Sequence, residues 1–223
     1  MDRYLNRESA GKILAQELDV YAKNPNTIVL ALPRGGVPVA YEIAKALQAP
    51  LDVFVVRKLG VPGHEELAMG AIAMGGISIL NENIIRDLQI SPEAIKRVSQ
   101  AEQKELERRV QAYRGKLPFP ELKNRIVILV DDGIATGATI RAAVAALKKI
   151  GPAKLIVAVP VAEKSMCEKL TLLADQLLCP LCPLYFNAVG AWYDDFGQTS
   201  DEEVCSLLKK AKQFLKPKSG DST

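Results

Sequence analysis

The chain predicts an α/β fold built on a mostly parallel sheet, and three observations carry that expectation. Runs dominated by aliphatic residues at 28–32, 51–56, 127–130 and 154–160 read as strands buried on both faces of a sheet. Between them lie segments whose apolar residues recur every three or four positions, the spacing of helices that cover such a sheet. Two of the runs end in small-residue loops, Pro33-Arg34-Gly35-Gly36 and Gly133-Ile134-Ala135-Thr136-Gly137, as strands do where they pass into the crossover helix of a βαβ unit.

In chain order, Ala10, Ile13, Leu14, Leu18 and Tyr21 form a first helical stripe, and 28–32 is the first buried strand. A helix with Pro38 near its first turn brings Ile43, Ala44 and Leu47 inward, ahead of the strand at 51–56. Residues 60–76 hold five glycines, two of them adjacent, around an apolar stretch at 67–74, which predicts a mobile loop leading into an antiparallel pair. Ser91 as N-cap and Pro92 at the first helical position start a charged helix that runs to about Tyr113. Its apolar stripe is thin, so this helix is expected on the outside or across a dimer interface. Beyond the strand at 127–130, Thr139, Ile140, Ala143, Val144 and Leu147 keep helical spacing. A strand at 154–160, a helix at 163–173 and a short strand at 176–179 follow. The last helix begins near Asp201 with Ser200 as its cap and ends before Pro217, and 215–223 reads as a frayed tail.

With 223 residues, 48% hydrophobic and 25% charged, the chain suits one domain with a sizeable core, at about 25–180, carrying elaborations at 60–80 and 181–200. The net charge of +3 is dispersed and supplies no basic face for a phosphate backbone, so no nucleic-acid partner is expected. No apolar run reaches the ~20 residues that span a bilayer, and Met1-Asp2 lacks the basic opening of a signal peptide; no membrane association and a cytoplasmic location are expected. Four cysteines, Cys167, Cys179, Cys182 and Cys205, do not make a disulfide scaffold. Cys179-Pro-Leu-Cys182 has zinc-knuckle spacing, but a tetrahedral site would need Cys167 and Cys205 to converge on it, so free thiols are expected.

The chemistry concentrates where the strand at 127–130 ends in Asp131-Asp132 and a small-residue loop opens the next helix. Open α/β sheets bind ligands at this carboxyl edge. Two adjacent ionised carboxylates repel each other and call for hydroxyls or a cation as partners. Ala135, Gly137 and Ala138 let an anion approach the backbone, Thr136 and Thr139 offer hydroxyls, and the helix start offers unpaired N–H groups. A sugar phosphate uses every one of these groups, the diol on the carboxylates and the phosphate in the turn. Pro33-Arg34-Gly35-Gly36 reaches the same edge, with Arg34 a permanently charged fork for phosphate oxygens. Arg57 and Lys58, at the end of the strand that follows, are expected there too.

The segment Val130-Asp131-Asp132-Gly133-Ile134-Ala135-Thr136-Gly137-Ala138-Thr139 resembles the signature of the type I phosphoribosyltransferases, and the resemblance extends over residues 25–190. It implies a central, mostly parallel sheet flanked by helices with a small hood, and a ligand, 5-phosphoribosyl-1-pyrophosphate (PRPP), bound with magnesium. On that resemblance Asp131 and Asp132 hold the ribose hydroxyls and, directly or through them, the metal, while Ala135, Thr136, Gly137, Ala138 and Thr139 wrap the 5′-phosphate. Arg34, Gly35 and Gly36 become the pyrophosphate loop, joined by Arg57 or Lys58. A homodimer is a further family expectation. The chain departs from the pattern at Gly133, at Ala138, and at Ala135, where hypoxanthine-type members carry an aspartate proposed as the base.

The segment Gly60-Val61-Pro62-Gly63-His64-Glu65-Glu66 resembles the loop that closes over substrate in this family, which makes His64, Glu65 and Glu66 catalytic candidates. Tyr185, Phe186 and Trp192 are candidates for stacking an acceptor base in the hood, against the alternative that these aromatics close the core. Three functions stay open on these residues: phosphoribosyl transfer from PRPP to a nitrogenous base with release of pyrophosphate, a PRPP sensor without transfer, and a generic nucleotide-binding α/β module.

Overall fold

The structure is a computed structural model that describes residues 3–215; the tail predicted beyond them and Met1-Asp2 lie outside the described residues. In chain order the elements are α1 (Arg7–Glu17), β1 (Thr27–Ala31), α2 (Gly36–Leu47), β2 (Leu51–Val53), β3 (Val56–Val61), β4 (His64–Ala73), β5 (Ile77–Leu80), α3 (Glu82–Asp87), α4 (Pro92–Arg114), β6 (Ile126–Val130), α5 (Ala138–Ile150), β7 (Lys154–Ala158), α6 (Lys164–Leu173), β8 (Gln176–Leu178) and α7 (Asp201–Ala211). Short 3-10 turns at Asp19–Tyr21, Val189–Trp192 and Lys212–Leu215 complete them.

The aliphatic runs form one parallel sheet of five strands in the order β2-β1-β6-β7-β8. Its centre is fully covered: all of β1 is buried, as are Val127, Ile128, Leu129 and Val130 of β6 and Leu155, Ile156, Val157 and Ala158 of β7. This is the two-sided burial that an unbroken apolar run encodes. Helix α2 packs on β1, β2 and β6 and is itself covered by α1 and α7, while α5 packs on β7 and α6. The expected inward residues Ile43, Ala44 and Leu47 of α2, and Ile140, Ala143, Val144 and Leu147 of α5, are buried. Ser91 caps α4 by accepting from Ala94 N at 3.2 Å, and Ser200 caps α7 by accepting from Glu203 N at 3.2 Å.

The region 51–80 departs from the expected layout. The predicted strand at 51–56 is two strands in two sheets, β2 ending at Val53 and β3 beginning at Val56. Phe54 N donates to Ala31 O at 2.8 Å, which closes the parallel sheet, and Met74 N donates to Val55 O at 3.0 Å, which opens the next one. Phe54 and Val55, both 1% exposed, are buried at this handover. The predicted mobile loop is an ordered hairpin: β3 and β4 pair antiparallel from Val56↔Ala73 to Val61↔His64, with β5 as third strand. The expected antiparallel pair is present, and the residues taken for its leading loop belong to it. This second sheet lies over α4 and α5.

Candidate functional site

Two loops meet at the carboxyl edge of the parallel sheet. Leu32 N donates to Val130 O at 2.8 Å, so the chain after β1 runs beside the chain after β6. The peptide between Pro33 and Arg34 is cis. A Cβ on Gly36 would lie 2.7 Å from Val130 O and 2.9 Å from Asp131 Cα, and one on Gly35 would collide with the Asp132 carboxylate. Only glycine at these two positions allows the backbone so close to the acid pair. The glycine loop and the two carboxylates therefore form one surface.

Asp132 N donates to Asp131 Oδ1 at 2.9 Å. Burial and the neighbouring Asp132 push the Asp131 carboxyl well above the usual carboxylate range. Burial also raises Asp132, against the opposing pull of Arg7. A buried acid pair with raised affinity for protons is a strained arrangement that a cation or hydroxyl donors would relieve.

Beyond the pair, Gly137 has φ +72° and precedes the first turn of α5, which holds no acidic residue. Its backbone sits against the Met166 side chain, 2.5 Å from where a Cβ would be. Ala135, Thr136, Ala138 and Thr139 are exposed around it. Unpaired N–H groups, two hydroxyls and the positive end of the α5 dipole thus face outward together, a surface suited to an anion.

The basic residues separate. Arg34 is half-exposed and 3.8 Å from Asp201 Oδ1 at the start of α7. Arg57 and Lys58 do not end a strand of the parallel sheet; both lie inside β3, on opposite faces. Arg57 turns to α4, where Nε donates to Glu102 Oε2 at 2.6 Å and Nη2 lies 2.6 Å from the same oxygen. Lys58 turns into a cleft of about 710 Å³ that is also lined by Thr136, Ala138, Thr139, Arg141 and Glu66, with its ammonium 3.4 Å from Glu66 Oε2. Of the two, Lys58 is the one that shares a cleft with Thr136 and Thr139. His64 and Glu65 are exposed at the outer end of β4, around a separate hollow.

The aromatic segment divides in the same way. Tyr185 is 91% exposed, and Phe186 and Trp192 stack on each other at 6.4 Å. Tyr193 reaches the acid loop instead, its hydroxyl donating to Asp132 O at 2.5 Å while its ring packs on Tyr4 and Phe196. Arg7, which carried no motif, donates from Nε to Asp132 Oδ2 at 2.8 Å. No local pattern marks Arg7; only a pairing between residues far apart in the chain would have found it.

The cysteines correct a second expectation. Cys167 on α6 and Cys182 pair as a disulfide rather than standing as free thiols, with Cys179 Sγ 3.6 Å from Cys167 Sγ. Burial pushes the Cys179 thiol up to about 12. Cys205, on α7, donates to Ala112 O instead, so the four sulfurs do not converge. No helix among the described residues is long and apolar enough to cross a membrane.

Comparison with known proteins decides what this edge belongs to. The profile of the phosphoribosyl transferase domain family matches residues 2–171. The chain is a member of that family. Two Mycobacterium tuberculosis proteins, of strains CDC 1551 / Oshkosh and H37Rv, named provisionally as phosphoribosyl transferases, are each 44% identical over 211 residues, covering 95% of this chain and 47% of their own length. The chain thus spans about half the length of the curated relatives it matches. The TT1426 protein of Thermus thermophilus shares the fold at a TM-score of 0.83 with 40% identity, over 93% of this chain and 98% of that one. As in the phosphoribosyltransferase family generally, the fold is a central parallel sheet flanked by helices, here with a second, antiparallel sheet beside it.

Proposed function

We propose that this family member binds PRPP with magnesium and transfers its phosphoribosyl group to a nitrogenous base, releasing pyrophosphate. The observation that supports the reading is the close approach of the Gly35-Gly36 backbone to Asp131 and Asp132, which puts the glycine loop and the acid pair on one surface.

In this reading Asp131 and Asp132 accept hydrogen bonds from the ribose 2′- and 3′-hydroxyls. The loop Ala135, Thr136, Gly137, Ala138 and Thr139 holds the 5′-phosphate on backbone N–H groups and the α5 dipole. Gly35 offers its N–H group to the pyrophosphate, Gly36 lets the loop backbone lie close to the acid pair, Arg34 stands beside them, and Lys58 closes the cleft from the hairpin side. The acid pair supplies the oxygen donors that a hard divalent cation prefers. Bound magnesium would neutralise charge on the departing pyrophosphate. The C1–oxygen bond to pyrophosphate breaks, a C1–nitrogen bond forms, and the nitrogen loses its proton. Ala135 cannot take that proton. Glu66 is the acid of the hairpin that lines the same cleft as the phosphate loop, and it is our candidate acceptor.

One observation favours a second reading, a PRPP sensor that does not transfer: the phosphate loop carries no carboxylate at Ala135. Calorimetric titration with PRPP and magnesium, followed by pyrophosphate release across a panel of purines, pyrimidines and nicotinate, separates them. Binding with base-dependent release establishes the transferase, and binding without release the sensor. Absence of binding rejects both.

A further inference from the structure

We propose that Arg7 is a positioning residue for the acid pair, fixing the direction of the Asp132 carboxylate toward the ligand; the proposal rests on the PRPP reading above. It starts from how the N-terminal segment is anchored. Tyr4 N donates to Trp192 O, Asp194 N to Tyr4 O and Asp195 N to Leu5 O, each at 2.9 Å, so residues 4–5 run alongside 192–195. The Tyr4 hydroxyl donates to Pro160 O at 2.8 Å and ties this pair of segments to the end of β7. Asn6 then starts α1 with a reciprocal cap, Ser9 N donating to Asn6 Oδ1 at 2.9 Å and Asn6 N donating to Ser9 Oγ at 3.0 Å. Arg7 follows at the first helical position, and its direction is set before its side chain makes any contact.

The guanidinium is then fixed on three sides. Nε donates to Asp132 Oδ2 at 2.8 Å, Nη1 donates to Gly197 O at 2.6 Å, and the group lies 3.8 Å from the centre of the Phe196 ring. Its side chain is 13% exposed and that of Asp132 14%. Tyr193 secures the same residue from the backbone side through Asp132 O.

A buried ion pair is a poor way to gain stability, because desolvating both charges offsets most of their attraction. Placing it beside a second buried carboxylate makes it worse for the fold alone. The arrangement makes sense for a site in which the direction of one carboxylate matters more than the stability of the pair. Without Arg7, the Asp132 side chain loses the partner that fixes its Oδ2 and is free to turn away from the glycine loop. Arg7 also occupies Oδ2, the oxygen that faces Gly35, which leaves Oδ1 without a protein hydrogen bond among the described residues. The N-terminal segment and the segment at 192–197 thereby form one clasp on Asp132.

The test is calorimetric titration of the full chain with PRPP and magnesium, on the wild type, Arg7→Ala and Arg7→Lys, with an unfolding midpoint for each. A hydrogen bond to a charged group predicts that Arg7→Ala binds about 10- to 100-fold more weakly. Millimolar guanidinium chloride should restore most of that loss in Arg7→Ala while equal urea does not, because the missing group itself is being returned. Arg7→Lys should fall between, since an ammonium cannot hold Asp132 and Gly197 in the same planar fork. Affinity of Arg7→Ala within twofold of wild type, or tighter, overturns the proposal; the tighter outcome would make Arg7 a plug. A loss that guanidinium does not restore, with a lowered unfolding midpoint, assigns Arg7 to the fold alone and also overturns it. A wild type that binds no PRPP fails differently: it removes the PRPP reading, and this proposal falls with it.

Discussion

The carboxyl edge of the parallel sheet and the hairpin of β3 and β4 both carry candidate site residues, and they differ in how those residues are placed. At the sheet edge the loop after β1 and the loop after β6 leave neighbouring strands in register, Ala31 beside Val130, so their meeting follows from the topology. In the hairpin, placement depends on strand pairing and on which face each side chain takes. Arg57 and Lys58 are sequence neighbours with opposite fates, one held by Glu102 on α4 and one in the cleft with Thr136 and Thr139. A motif on adjacent parallel strands fixes its own geometry; a motif on a hairpin takes its geometry from what the hairpin lies on.

The strongest way to break this contrast is at Gly35. Its backbone touches the Asp132 carboxylate, so Gly35→Ala must displace one or the other. Overpacking a tight site costs about 1–3 kcal/mol, and here the cost falls on the groups assigned to the ligand. PRPP affinity should drop about 100-fold by calorimetry. Affinity within threefold of wild type would mean that the two loops do not act as one surface.

Next in size is Asp131→Asn, which should move binding and stability in opposite directions. Affinity should fall at least about tenfold through loss of a charged acceptor. The fold should become more stable at neutral pH. The carboxyl is raised in the folded state, so the folded chain prefers it protonated, and its contribution is lost as pH rises from the ordinary carboxylate range through the raised value. Asparagine removes that loss. The unfolding midpoint of Asp131→Asn should exceed wild type at pH 7.5 and approach it near pH 4; a lower midpoint at pH 7.5 would show that the carboxylate is a structural partner.

The adjacent pair in β3 gives a smaller and sharper test. Lys58→Met should weaken PRPP binding about tenfold with little change in stability, since its partner Glu66 is fully exposed. Arg57→Met should leave affinity within twofold and cost about 1 kcal/mol in urea unfolding, because Glu102 is left half-buried without its guanidinium. The reverse pattern would mean that the hairpin turns its other face to the ligand.

The extent to which the chain could be read follows the same division. Strands β1, β6 and β7 and helices α2, α4, α5 and α7 were legible because each carries a local signal: an unbroken apolar run, a 3.6-residue stripe, or a Ser cap. The meeting of the acid pair and the glycine loop was legible because each follows an unbroken apolar run, and such runs pair as neighbouring parallel strands. The break after Val53 was not, since Phe54 and Val55 are as apolar as any strand interior and only their hydrogen bonds to different sheets divide the run. Arg7 and the Cys167–Cys182 pair were hidden for a related reason: each depends on a partner far along the chain, 125 residues away for Arg7 and 15 for the disulfide.

The smallest expected effect belongs to the chain's lone histidine. His64 opens β4 opposite Val61, exposed beside the Pro62-Gly63 turn, and it lines a hollow with Glu65, Glu66 and Leu67 rather than the cleft lined by Lys58, Thr136 and Thr139. An exposed side chain with no hydrogen bond among the described residues contributes within about 0.5 kcal/mol to stability. His64→Ala should therefore leave the unfolding midpoint and PRPP affinity unchanged. Glu66→Gln, three strand positions after the turn and on the cleft, should keep affinity but slow pyrophosphate release about 100-fold if it accepts the nucleophile's proton. The two variants sit on one strand two residues apart, so a loss of release in His64→Ala with none in Glu66→Gln would move the proton acceptor to the hairpin tip and require the hairpin to close over the sheet edge during turnover.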